Sequence, residues 1–248
     1  MSEWRPAPRV ASLLLSPGTA HTDSSGTELT AIGTGIIPVV GTARSGKTTL
    51  ALSLMEWATK HTDRDLAFVG MPPSYLDALP APMRARATNP TINHLTRLRD
   101  TVVLLDDTAV TLNARDSSTK RSKVLNRCCG IISHLGLTLI LTSQSMAGVD
   151  IALLRFTEMA PLVKRIDPMA LRVERDSWSE SLESAQLSLR SKRFDPAFYF
   201  SVGDELLCSS PYPEWVQNDR LSRPYRYLPQ AALDALVGGR NPAAWEEE

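Results

Sequence analysis

Apolar and polar residues alternate along this chain in short blocks, and each block predicts an element. Ile36 to Val40 is an unbroken apolar run, which predicts a strand buried on both faces. From Lys47 to Lys60 the apolar positions Leu50, Leu54, Trp57 and Ala58 recur at helical spacing. Asp65 to Gly70 predicts a second buried strand, stopped by Met71-Pro72-Pro73. Residues 72 to 100 are proline-rich and predict one or two short helices. Thr101 to Leu105 is a third buried strand, ending in Asp106-Asp107. A helix is expected over about 118 to 134, and then a strand from Leu137 that ends in Thr142-Ser143-Gln144.

Beyond that strand, Val149 to Arg155 predicts a turn and a short helix, and Pro161 to Ile166 and Ala170 to Glu174 read as further strands. A helix starts near Ser177, with Trp178, Leu182, Ala185 and Leu189 on one face. Its acids Glu180 and Glu183 come early and Arg190, Lys192 and Arg193 come late, which suits the helix dipole. Phe198 to Val202 and Glu205 to Cys208 predict a closing hairpin. Residues 1 to 34, rich in Ser, Thr, Gly and Pro around an apolar patch at Val10 to Leu15, read as a partly mobile arm with one strand or hairpin. The core is then 35 to 210, and 211 to 248 a Pro- and aromatic-rich extension packing on the core or on a neighbour. Strands alternating with helices define an α/β class with a largely parallel central sheet flanked by helices.

Chemistry enters at the first strand. Gly41-Thr42-Ala43-Arg44-Ser45-Gly46-Lys47-Thr48 fits G-x-x-x-x-G-K-[ST], the P-loop, between the strand and the helix that this motif requires. Successive backbone N–H groups can converge on phosphate oxygens, and the following helix adds its positive end. The loop with Thr49 is therefore the candidate nucleotide-binding segment. Lys47 would reach the β- and γ-phosphates, and Thr48 would complete the shell of a Mg²⁺ ion. About sixty residues later, Asp106 and Asp107 emerge at the C-terminal edge of a buried strand, where open α/β sheets bind ligands. Asp106 would hold Mg²⁺ through water, and either acid could polarise an attacking water. Gln144 stands at a comparable strand end and could bond the γ-phosphate or that water. ATP and Mg²⁺ are the cofactors this set of residues implies.

Composition changes the picture little. Lys+Arg and Asp+Glu are 27 each, so whole-chain charge does not point to a polyanionic partner. Three cysteines, Cys128, Cys129 and Cys208, make no disulfide framework and fit a reducing compartment. The four histidines lack metal-ligand spacing, and no apolar run reaches bilayer length. Ala11 to Leu15 is too short for a signal peptide.

The P-loop, the strand ending in two acids and the strand ending in Thr142-Ser143-Gln144 together resemble the FtsK/HerA superfamily of DNA-pumping ATPases. Ser133 to Gln144 followed by Asp150 to Arg155 is similar to one branch of it, the genome-packaging ATPases of tailless icosahedral viruses with an internal membrane. Phe198-Tyr199-Phe200, Pro211 to Trp215 and Leu221 to Tyr225 also look like the end of that branch. The resemblance covers about residues 35 to 228. It implies a RecA-like core, a pentameric or hexameric ring, and ATP sites at subunit boundaries completed by a neighbour's arginine. It also implies sequence-independent backbone contact with double-stranded DNA and work in the host-cell cytoplasm, with a virion vertex, capsid or membrane proteins as further partners. Relatives place a basic residue just before the Gln-ended strand, where this chain has Ser133 and His134, so Arg121, Arg127 and Arg155 are the finger candidates. Arg84, Arg86, Arg97, Arg99, Arg115, Lys120 and Arg121 are candidates for DNA contact. Three other readings compete: a Zot-like or conjugative morphogenesis ATPase, a monomeric P-loop switch or kinase, and a P-loop scaffold without turnover.

Overall fold

The computed structural model describes residues 4–22, 26–106, 127–147, 158–171, 176–192, 195–222, 224–226 and 228–230. The apolar patch of the N-terminal stretch forms a helix, an element added to the strand or hairpin expected there. Helix α1 (Pro8–Leu14) buries Val10, Leu13 and Leu14 completely in the main core. Its proline at the first turn costs no hydrogen bond there. The expected hairpin follows, β1 (Ala20–Thr22) paired antiparallel with β2 (Glu28–Thr30).

The P-loop strand β3 (Gly35–Val40) is buried at every position, and the helix after it, α2, runs Lys47–His61. Strand β4 (Asp65–Phe68) ends before the proline pair as expected. The proline-rich segment then forms α3 (Pro73–Asp77), α4 (Ala81–Arg84), a two-residue strand β5 (Ala87–Thr88) and a 3-10 helix (Ile92–Arg97). Strand β6 is Thr101–Leu105. Of the helix expected over 118 to 134, residues 127–130 are helical and α5 is Ile132–Leu135; the remainder lies outside the described residues. Gly136, at φ 67°, ends α5 in the left-handed conformation that suits glycine.

Strand β7 (Leu137–Ser143) is buried throughout. The next strand is shorter than its apolar pattern, with only Leu162–Val163 paired as β8. Ala170 and Leu171 are not in a strand. They belong to helix α6 (Pro168–Leu171), because Asp167 accepts the Met169 backbone N–H through Oδ1 at 2.9 Å and so turns the chain. The amphipathic helix is α7 (Asp176–Leu189), and the closing hairpin is β9 (Phe198–Ser201) with β10 (Leu206–Ser209). The C-terminal segment lies on α2: Ser53 Oγ donates to the Pro211 carbonyl, and Trp215 Nε1 donates to Glu56 at 3.1 Å. A last short helix, α8 (Asp219–Ser222), follows.

The main sheet has the order β10-β9-β8-β3-β7-β6-β4-β5. The strands from β8 to β5 pair in parallel, and the β9–β10 hairpin extends the sheet antiparallel. The Gln-ended strand β7 thus separates the P-loop strand from the strand leading to Asp106. Side chains alternate between two cores. Ile37, Val39, Val102, Leu104 and Ile140 join the core containing α1 and α2, while Ile36, Val103, Leu105, Leu139 and Leu141 join the other, against Cys128, Ile132 and Leu135.

A buried arginine locks α1 to the sheet. Arg64 is 1% exposed, and its guanidinium donates to the carbonyls of Leu13, Leu14, Thr101 and Gly136 and to Thr138 Oγ1. The Leu13 and Leu14 carbonyls belong to the last turn of α1, which otherwise has no basic cap. Arg64 Nε lies 3.1 Å from Asp100 Oδ1, an ion pair without hydrogen-bond alignment. Burial pulls the Arg64 pKa down to about 10, partly offset by Asp100.

Candidate nucleotide-binding site

The parallel strands all end at one edge of the sheet, and the candidate site is there. Period-two alternation puts Asp106, next after Leu105, on the same side as Val102 and Leu104, which is the side of α2. Thr142 shares that side with Ile140. The register pairs Leu105 with Leu141 and Val39 with Thr142, so Asp106 falls beside Thr142, one strand away from the P-loop.

The P-loop runs from Gly41 to the helix start. Gly46 caps α2 at φ 87°, and a Cβ there would meet the Pro196 carbonyl at 3.2 Å. At Gly41 a Cβ would lie 2.7 Å from Lys164 Cβ and 2.8 Å from Ser45 Oγ. Arg44 takes the left-handed conformation, φ 59°, without being a glycine. Such a residue stores about 1–2 kcal/mol, a cost that clusters at ligand loops. Lys47 Nζ donates to the carbonyls of Gly41 and Thr42, both at 2.9 Å, so its ammonium lies across the loop.

The hydroxyl and carboxylate expected at a metal site do meet. Thr48 Oγ1 is 3.0 and 3.1 Å from the two oxygens of Asp106, although 58 residues separate them. Thr142 Oγ1 donates to Asp106 Oδ1 at 2.6 Å, inside the protein. Asp106 is 7% exposed, so its charge is held by these hydroxyls and not by bulk water. Tyr75, fully buried beneath it, has its pKa raised well above normal, first by burial and then by the charge of Asp106. It therefore remains a neutral phenol. A hard-oxygen pair of this kind fits Mg²⁺, which takes a hydroxyl, carboxylate and waters around phosphate oxygens. Among the described residues no cluster of three or more His, Cys, Asp or Glu offers another metal site.

Gln144 is exposed at the end of β7, at the same sheet edge. Arg127 is exposed on the helical residues 127–130. Asp107, Arg115, Lys120, Arg121 and Arg155 lie outside the described residues. The candidate DNA-contacting arginines separate into two kinds. Arg86 is committed to the carbonyls of Thr59, Thr62 and Arg64 and caps the end of α2, which corrects the expectation that it faces DNA. Arg84 donates to Asp77 and Arg99 to Thr96 and Leu98, while Arg97 is exposed.

Three residues at the site escape the sequence reading. Thr142 is one. Arg165 is another: its Nε donates to Thr42 Oγ1 at 3.2 Å, its Nη2 to the Ala43 carbonyl, and its own carbonyl accepts the Thr42 N–H at 2.8 Å. It clamps the outer side of the P-loop. The third is Lys164, fully buried under Gly41, with Nζ donating to the carbonyls of Pro196 and Phe198. Burial pulls its pKa down to about 8, partly countered by Asp195. The signal for both is a Lys-Arg pair directly after an apolar strand, where the sheet edge meets ligands.

The strand order and the P-loop define a P-loop NTPase fold of the RecA-like kind, with one strand inserted between the loop strand and the acidic strand. No protein-family model matches the sequence, and no curated protein matches it. Solved structures are similar to it. EccC ATPases 2 and 3 from Thermomonospora curvata, solved with a signal sequence peptide, match with TM-score 0.51 and 13% identity over 82% of this chain and 43% of that one. The genome packaging NTPase B204 from Sulfolobus turreted icosahedral virus 2, solved with ATP-gammaS, aligns with TM-score 0.49 and 13% identity over 73% of this chain and 98% of that one. EssC ATPases 2 and 3 from Geobacillus thermodenitrificans align with TM-score 0.49 and 13% identity over 86% of this chain and 49% of that one. Among the described residues no helix is long and apolar enough to cross a membrane.

Proposed function

We propose that this protein is an ATPase that moves double-stranded DNA, and that its work is packaging a viral genome into a preformed capsid. One observation carries the ATPase part of the reading. Thr48 of the P-loop, Asp106 at the end of β6 and Thr142 of the Gln-ended β7 are joined by hydrogen bonds in one network, buried on the Thr142 side and part-buried on the Thr48 side. That network couples the phosphate loop to the strand whose end carries Gln144.

Thr48 and Asp106 would hold Mg²⁺, which supplies charge neutralisation at the β- and γ-phosphates. Lys47 adds a second positive charge to the same oxygens. Gln144, with Asp107 or Asp106, orients the water that attacks the γ-phosphorus. The bond to the ADP oxygen breaks as the new P–O bond forms, and the carboxylate takes the water's proton. A neighbouring subunit in a pentameric or hexameric ring supplies an arginine, with Arg121, Arg127 and Arg155 as candidates. DNA contact goes through phosphates, from exposed residues such as Arg97. The proposed setting is the host-cell cytoplasm, with docking at a virion vertex.

The test is ATP hydrolysis by the full chain, with and without blunt duplex DNA, across a salt series, alongside its mass in solution. The expected result is a ring whose turnover rises with DNA, and a stimulation that falls as salt rises, because released counterions drive backbone binding. A monomer that hydrolyses ATP at the same rate with and without DNA at low salt would favour the switch or kinase reading instead.

A further inference from the structure

Helix α2 starts at the P-loop with Lys47 and ends at His61. Its far end borders a cavity of about 650 Å³ that the nucleotide chemistry does not touch. Trp57 and His61 both line it. At 1.5 Å of rise per residue, Trp57 lies about 15 Å along the helix from Lys47, so this cavity and the phosphate loop are separate places.

The walls are apolar. Ala11 of α1, Leu15 just after it, Trp57 and Leu206 of β10 form most of them. Trp57 is held in position: its ring stacks on His61 with centres 4.3 Å apart, and His61 Nδ1 lies 2.7 Å from the Trp57 carbonyl. Leu206 is 37% exposed, so the trough is open to water on the β10 side. Its size and lining are those of a small-molecule site, in which apolar walls supply affinity and a few polar groups fix the orientation.

The charge at this trough has one sign. Arg5 lines it and is exposed, and among the described residues its guanidinium has no hydrogen-bond or ion-pair partner. His21 and His61 are the other basic groups in the lining, and no Asp or Glu belongs to it. A wholly apolar ligand would leave the guanidinium unused, and a small inorganic anion would leave the apolar walls wet. We propose that the cavity binds a single-chain carboxylate: an acyl chain lies against Trp57, Leu15 and Leu206, and its head group meets Arg5. The planar guanidinium can donate two N–H groups to the two carboxylate oxygens. The site does not depend on the nucleotide reading.

The experiment is calorimetric titration of the full chain with octanoate, decanoate and dodecanoate, each below its micelle concentration, and with decanol as the uncharged control. The expected result is one molecule per chain, with affinity rising about threefold to fourfold for each added CH₂. Decanol should bind about tenfold more weakly than decanoate, and Arg5→Gln should bring decanoate down to the level of decanol. Ala20 also lines the cavity and is exposed, so Ala20→Trp fills the mouth without entering the core; it should weaken every acid in the series more than tenfold. ATP binding should be the same in both variants as in the wild type, which keeps this test apart from the nucleotide site. The proposal is overturned if no acid binds, if chain length has no effect, if decanol binds as tightly as decanoate, or if neither variant weakens binding. Should a variant fail to fold, photolabelling of the wild type with a diazirine-bearing dodecanoate decides. Label on Trp57 or Leu206 that decanoate displaces supports the assignment, and label only elsewhere overturns it.

Discussion

Thr142 Oγ1 donates to Asp106 Oδ1 across 2.6 Å, on a strand lying between Asp106 and the loop it serves. The contact leaves the Thr48 hydroxyl to meet both carboxylate oxygens from the other side. An aspartate at the end of a strand has two free torsions, and this hydrogen bond removes much of that freedom. Thr142→Val keeps the shape and deletes the donor. Its kcat for ATP should fall about 10- to 100-fold, equivalent to about 1.4–2.8 kcal/mol, with nucleotide affinity little changed. Thr142→Ser should recover most of the loss. Equal turnover in the valine variant would mean that Asp106 is oriented without this bond.

Lys47 and Asp106 should separate nucleotide grip from metal dependence. Lys47→Ala removes the ammonium that spans Gly41 and Thr42. Nucleotide affinity and turnover should both drop, turnover by about a hundredfold or more. Asp106→Asn should retain nucleotide binding but need far more Mg²⁺ for any hydrolysis. Magnesium titrations of both variants, with circular dichroism to confirm the fold, check this.

Arg64 is the structural counterpart. Its guanidinium satisfies five acceptors at once, four of them backbone carbonyls. Arg64→Met removes one donor from each where water does not reach, leaving the Leu13 carbonyl only Thr138 Oγ1 and the Gly136 carbonyl only the Thr101 N–H, and should destabilise the fold by about 3–5 kcal/mol. Most of that cost comes from the abandoned carbonyls, because the Asp100 side chain is 60% exposed and can turn to solvent. Arg64→Lys should lose less, since an ammonium has three donors. Urea unfolding midpoints measure the order wild type, Lys, Met.

Lys164 makes stability depend on alkaline pH. Its folded pKa, about 8, lies below the ordinary value of 10.5. Between those values the unfolded chain binds more protons at this site than the folded one, so stability rises as pH rises through the window. Below pH 8 the folded protein bears the full cost of a buried ammonium. Relative to Lys164→Met, the wild type should gain about 3 kcal/mol from pH 8 to pH 10.5. Parallel pH curves for the two proteins would mean that the ammonium is not desolvated.

Legibility in the sequence followed distance along the chain. Strands β3, β6 and β7 and helices α2 and α7 stood out because burial on both faces, or on one helical stripe, leaves an unbroken or periodic pattern. The apolar patch in α1 was too short for its period to separate helix from strand, and tertiary contact with Arg64 decided it. Ala170 and Leu171 have strand-like composition, but the Asp167 side chain turned the backbone into a helix first. Arg86 looked like any surface arginine until the end of α2 came within its reach.

The sequence by itself determined the phosphate cradle, since eight consecutive residues carry its backbone geometry and its charge. It also placed an acid and a glutamine at strand ends, because strand burial and polarity are local properties. Only the tertiary structure decided that β7 stands between β3 and β6, which is what brings both Thr142 and Thr48 to Asp106. Lateral strand order is set by how helices cover two faces of a sheet, and residues 36 positions apart carry no mark of the hydrogen bond they will share.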